Sequence, residues 1–118
     1  MNETEIMAML LDNWYEPIVF VDAEHIIRYM NAPAKNMYAE WGDVLGKSIF
    51  NCHIEKSALI IKDAFNKLKD GQDEALFDDN GKRRGYLRAL RDHDGRLLGY
   101  YARSEPKGSF IPEIIKYL

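Results

Sequence analysis

The chain has 118 residues, 47% of them hydrophobic and 30% charged, with a formal net charge of −3 at pH 7. That length suits one domain with a modest core, burying roughly two thirds of the unfolded chain's surface, and the composition is that of an ordinary globular protein rather than a disordered or membrane-spanning one. The acidic balance gives no clustered cationic footprint for nucleic acid, and one cysteine excludes an internal disulfide or a cysteine-rich zinc cluster.

The opening residues, MNETEIMAMLLDNW, carry Glu3 and Glu5 where a secretory signal would carry basic residues. No apolar run approaches the roughly 20 residues that span a bilayer, so the expectation is a cytoplasmic protein with no membrane contact. Ile6, Met9, Leu10 and Trp14 recur at helical spacing, with Thr4 as the cap and Pro17 as the stop. They predict an amphipathic helix over residues 1–15.

PIVFVD and HIIRYMN are short β-rich runs on either side of a turn at Asp22 to His25, and together they predict a β-hairpin. APAKNMYAEW then reads as a Pro-initiated helical turn with Ala34, Met37, Tyr38 and Trp41 on one side. Gly42 and Gly46 bracket a short turn. The longest regular element follows, where Ile54, Ala58, Ile61, Phe65 and Leu68 fall alternately four and three residues apart. Lys67 and Lys69 suit its C-terminal dipole, and Gly71 is its stop.

Beyond it the period changes. Three strand-like runs are separated by Asn80-Gly81 and Asp94-Gly95, dipeptides able to supply the positive φ of tight hairpins. FIPEIIKYL places Phe110, Ile111, Ile114, Ile115 and Leu118 at helical intervals, predicting a short apolar tail over 106–118. The order of elements predicts an α+β fold: a five-stranded antiparallel sheet with helices on one face.

Within residues 16–105, the runs VDAEHIIRYMNAPAKNMY, VLGKSIFNCH and RDHDGRLLGYY occur in the order and spacing of a PAS domain, which this part of the chain resembles. GKSIFNCHIEKS is most similar to the branch attached to hemerythrin-like modules, whose members carry Asn-Cys-His-Pro; Ile54 stands here in place of that Pro. The resemblance implies a sensory or regulatory module and not an enzyme. In such a module the sheet and long helix enclose a pocket for haem, flavin or a small metabolite, and flanking helices transmit its state. Other members act in dimerisation without a ligand.

The Cys52-His53 pair admits several readings. Zinc takes four ligands, and no further histidines or acids stand at a recognised spacing, so no metal site is expected. Haem needs only one proximal histidine, which His53 can supply. A nucleophilic Cys52 needs a base within hydrogen-bond reach, and adjacent residues seldom face one another. The remaining reading is structural: Asn51 or a neighbour caps the long helix, Cys52 packs as a small apolar residue and His53 lies in the first turn. His25 and His93 stand beside turns, where solvent exposure is expected.

Met37, Tyr38, Trp41, Phe50, Cys52, His53, Ile61 and Phe65 are the candidates to border a ligand pocket, against the alternative that such side chains fill the core completely. Arg88 shares a strand face with Arg84, Tyr86 and Leu90. It holds a carboxylate or phosphate if that face turns inward, and is solvated if Leu87 and Ala89 turn inward instead. The expected partners are a small apolar or carboxylate-bearing ligand, a signalling protein and a second copy of the chain, docked through Ile6, Met9, Leu10 and Trp14. A small enzyme with a helix-lined cone, such as an isomerase, is the reading from another class. It would need a buried Asp or His as acid or base.

Overall fold

The Glu5 amide donates to the side-chain oxygen of Asn2 at 2.8 Å, so the first helix, α1 (Glu3–Asp12), is capped by Asn2 and not by Thr4. The structure, a computed structural model, describes residues 1–52 and 55–107. The expectations for His53 and Ile54 and for the apolar tail from residue 108 onward fall outside that range. None of the residues of α1 is buried. Ile6, Met9 and Leu10 therefore remain uncovered by the domain. Among the described residues no helix is long and apolar enough to cross a membrane.

The predicted hairpin is β1 (Val19–Asp22) with β2 (Ile27–Met30). Its turn is closed by the Asp22 carboxylate, which accepts from the amides of Glu24 and Ile26. Asn31 then caps α2 (Ala32–Met37), accepting from the Ala34 amide, with Pro33 in the first turn where no amide is missed. The helix gives way to a 3-10 turn at Ala39–Trp41, and a second 3-10 turn spans Ile49–Cys52. The long helix α3 (Glu55–Lys69) buries Ile61, Ala64, Phe65 and Leu68 along one side, and the chain leaves it at Gly71, whose φ is 108°.

Three strands complete the sheet: β3 (Glu74–Asp79), β4 (Arg83–Arg91) and β5 (Leu97–Pro106). Gly81 and Gly95 take up φ of 87° and 84° in the turns between them, as those dipeptides predict. The order is β2-β1-β5-β4-β3, antiparallel throughout, with β5 in the centre. Strand alternation places Val21, Tyr100 and Ala89 in one inward row and Ala102, Leu87 and Ala75 in another. The helices cover this face. On the opposite face one row crosses all the strands: Tyr29, Phe20, Tyr101, Arg88 and Glu74.

Candidate ligand site

The core is not filled. A cavity of about 220 Å³ lies between sheet and helices, bounded on the sheet side by Val19, Val21, Leu87, Tyr100 and Ala102. Met37 and Tyr38 from the end of α2, Ile49 from the second 3-10 turn and Ile61 from α3 form the other side. Phe77 closes one end. A Cβ on Gly85 would lie 3.2 Å from the Phe77 ring, so the absent side chain is what lets that ring lie against β4. The void exceeds the roughly 150 Å³ of an apolar cavity that accepts benzene, and falls below the roughly 300 Å³ at which drug-sized pockets begin.

Tyr100 joins this cavity to a polar contact behind it. His25, at φ 68° in the β1–β2 turn, brings its Nδ1 to 2.8 Å from the Tyr100 hydroxyl. Its ring stands 4.8 Å from that of Phe50 and 4.8 Å from that of Phe65. Burial, reinforced by the Lys62 ammonium, holds the imidazole pKa below its ordinary value of 6.5. Burial also pushes the Tyr100 phenol above its ordinary value of 10.0. Both groups are therefore neutral at pH 7 and share one hydrogen bond. This corrects the expectation that His25 is solvent-exposed; His93 is exposed.

Asn31 connects the cavity side of α2 to α1. It is fully buried, and its side-chain oxygen accepts from the amides of Ile18 (2.8 Å) and Ala34 (3.1 Å). Its amide group donates to the carbonyls of Leu11 (2.7 Å) and Glu16 (3.0 Å). All the hydrogen-bonding capacity of the carboxamide is used. Asp12, the last residue of α1, also accepts from the Ala32 amide at 2.9 Å.

Of the side chains expected at a pocket, Met37, Tyr38 and Ile61 line the cavity. Phe50 and Phe65 stand instead around His25. Trp41 is corrected: it is 52% exposed and outside the cavity wall, because the 3-10 turn breaks the 3.6-residue spacing that would align it with Met37 and Tyr38. Arg88 takes the solvated one of its two alternatives. Leu87 faces the core, so Arg88 lies on the outer side of the sheet, where its Nη1 donates to Glu74 at 3.1 Å. Cys52 ends the second 3-10 turn. Among the described residues no cluster of His, Cys, Asp or Glu is assembled for a metal ion.

A family model described as a PAS domain matches residues 7–103. Among solved structures, the chain is similar to the C-terminal domain of a Streptococcus mutans protein, with 23% identity and a TM-score of 0.68 over 87% of this chain and 84% of that one. It is similar to the PAS domain of a Colwellia psychrerythraea protein, with 12% identity and a TM-score of 0.66 over 89% and 97% of the two chains. A sensory box sensor histidine kinase from Vibrio cholerae gives 13% identity and a TM-score of 0.54 over 87% and 90%. No curated protein matches the chain.

Proposed function

The chain belongs to the PAS domain family, whose members are generally sensory or regulatory rather than catalytic, and from that premise we propose that it binds a small, largely apolar ligand between sheet and helices and passes the occupied state to α1. The unfilled cavity carries this reading. Asn31 supports the relay, because one side chain holds both the start of α2, whose far end forms a cavity wall, and the end of α1. The volume favours a small molecule over a porphyrin. Catalysis gains no support from Tyr100, since burial keeps its phenol a weak acid at neutral pH.

Titration with benzene, followed through the methyl resonances of Val19, Val21 and Ile61, tests the cavity. Saturable shifts are expected in the wild-type protein and their loss in Ile61→Phe. Wild-type spectra that do not move overturn the reading.

A homodimer through α1 is a second reading, favoured by the exposure of Ile6, Met7, Met9 and Leu10 on a helix none of whose residues is fully buried. A short helix of this kind is marginal without a packing partner, and a two-fold pair is the commonest closed solution. A signalling protein is the further partner of the same surface. The single cysteine supports a reducing, cytoplasmic setting. The Asn51-Cys52-His53 run supports placement in the branch found with hemerythrin-like modules.

A further inference from the structure

The cavity adjoins a charged depression. Four of its wall residues, Pro17, Met37, Phe77 and Ala102, also line a depression at the surface. Along the inner register of β4 and β5 the apolar pair Leu87 and Ala102 is followed by Gly85 opposite Ser104, then Arg83 opposite Pro106. The face that floors the cavity therefore becomes polar where it reaches that depression, the nearest route in.

Arg83, Ser104, Asp78 and Glu16 all line that depression. Nη2 of Arg83 donates to the Ser104 hydroxyl at 3.0 Å. Among the described residues no carboxylate pairs with Arg83, and the side chains of Asp78 and Glu16 have no ion-pair or hydrogen-bond partner. The neighbouring arginines differ: Arg84 is engaged by Asp79, and Arg103 by Glu74 and Glu105. One guanidinium and two carboxylates thus share the depression without neutralising one another.

We propose that the site takes an α-amino acid with an apolar side chain. The side chain enters the cavity, the carboxylate meets Arg83 and the Ser104 hydroxyl, and the ammonium group meets Asp78 and Glu16. This assignment rests on the reading of the cavity as a ligand site and names its substrate class. A monocarboxylate would satisfy Arg83, whose planar fork suits it, but would be repelled by the two acids. A simple amine would satisfy the acids and be repelled by Arg83. A zwitterion answers both. A benzyl group, benzene with one added methylene, suits a void somewhat larger than the roughly 150 Å³ that holds benzene.

Calorimetric titration of the full chain with L-phenylalanine, 3-phenylpropanoate and 2-phenylethylamine separates the two charges on one apolar body. L-Phenylalanine is expected to bind at least about tenfold more tightly than either analogue. Arg83→Gln should weaken L-phenylalanine and 3-phenylpropanoate while sparing 2-phenylethylamine, and Asp78→Asn should do the reverse for the amine. Both side chains are exposed, so neither substitution disturbs the core. A 3-phenylpropanoate affinity equal to or above that of L-phenylalanine overturns the inference, as does an L-phenylalanine affinity unchanged by both substitutions. Benzene binding without a zwitterion preference removes this inference alone; failure of benzene to bind removes the cavity reading with it.

Discussion

Nδ1 of His25 and the hydroxyl of Tyr100 are 2.8 Å apart although 75 residues separate them in the chain. The contact fixes the turn of the first hairpin against the central strand. Because the folded state holds the His25 pKa below 6.5, the unfolded chain binds more protons as pH falls past that value. The His25 contribution to stability should be constant above the ordinary histidine range, decline on acidification from about pH 6.5, and level off below the folded pKa, beneath which the depressed carboxylates Asp22 and Glu74 take over the decline. Urea midpoints measured across this range, with the His25 ring protons titrated by NMR, check the sign. A midpoint that rose on acidification would contradict the half-buried, neutral imidazole.

Phe65 and Ile61 share a face of α3 but serve different neighbours. Ile61→Ala enlarges an existing void, whereas Phe65→Ala opens a new one beside His25. Losses of about 2–5 kcal/mol are expected for Ile61 and about 3–5 kcal/mol for Phe65. Only Phe65→Ala should also return the His25 pKa toward 6.5, a difference that the same NMR titration reads.

Asn31→Ala removes both acceptor and donor functions from a buried position, leaving the amides of Ile18 and Ala34 to find water. A cost of about 2–4 kcal/mol follows from unsatisfied buried groups. Asn31→Asp keeps the two acceptor bonds and loses the two donated to Leu11 and Glu16. Hydrogen exchange should then show the end of α1 released while the start of α2 keeps its protection.

Gly99 sits under the Phe20 ring and against the β1 backbone, and a Cβ there would collide with the Val21 carbonyl oxygen and approach Cα of Asp22 to 2.8 Å. No flexible side chain can move to make room. Gly99→Ala should destabilise the fold by about 3 kcal/mol or more, measured as the urea midpoint, while Gly85→Ala, which meets mainly the movable Phe77 ring, should cost less.

Light scattering tests the dimer through α1. Self-association at high micromolar concentration is expected for the wild-type chain and its loss for Leu10→Asp, since Leu10 is 66% exposed in the isolated chain. A monomer at that concentration, unchanged by the substitution, would remove the homodimer reading.

Local signals carried most of the fold. Asn80-Gly81 and Asp94-Gly95 located the late hairpins because positive φ is a property of the dipeptide itself, and the stripe from Ala58 to Leu68 located α3 because the helical period is local. The inward face of β4 could be weighed from Leu87 and Ala89 against Arg88 by polarity alone. Thr4 and Asn2 are both capping residue types, with Asn somewhat the better, and the bond to the Glu5 amide selects Asn2. Trp41 was misaligned by a 3-10 turn that no residue announces. His25 carried a partial signal, as histidine is enriched at positive φ, but its ring partners Phe50, Phe65 and Tyr100 lie far along the chain. Arg83 is one arginine among several in the sequence, and only the ion pairs of Arg84 and Arg103 set it apart.

The central position of β5 also governs the order in which the protein can be made. Phe20 and Tyr101 are paired neighbours in the sheet, yet the ribosome delivers one long before the other. Until β5 emerges, the hairpin of β1 and β2 and the strands β3 and β4 have no common neighbour, and isolated two-stranded pieces are marginal in water. Closing the sheet must then bring together distant parts of the chain, the slow class of contact in folding. The nascent chain accordingly passes through a stage with open β1 and β4 edges, the state most exposed to aggregation and most in need of a chaperone.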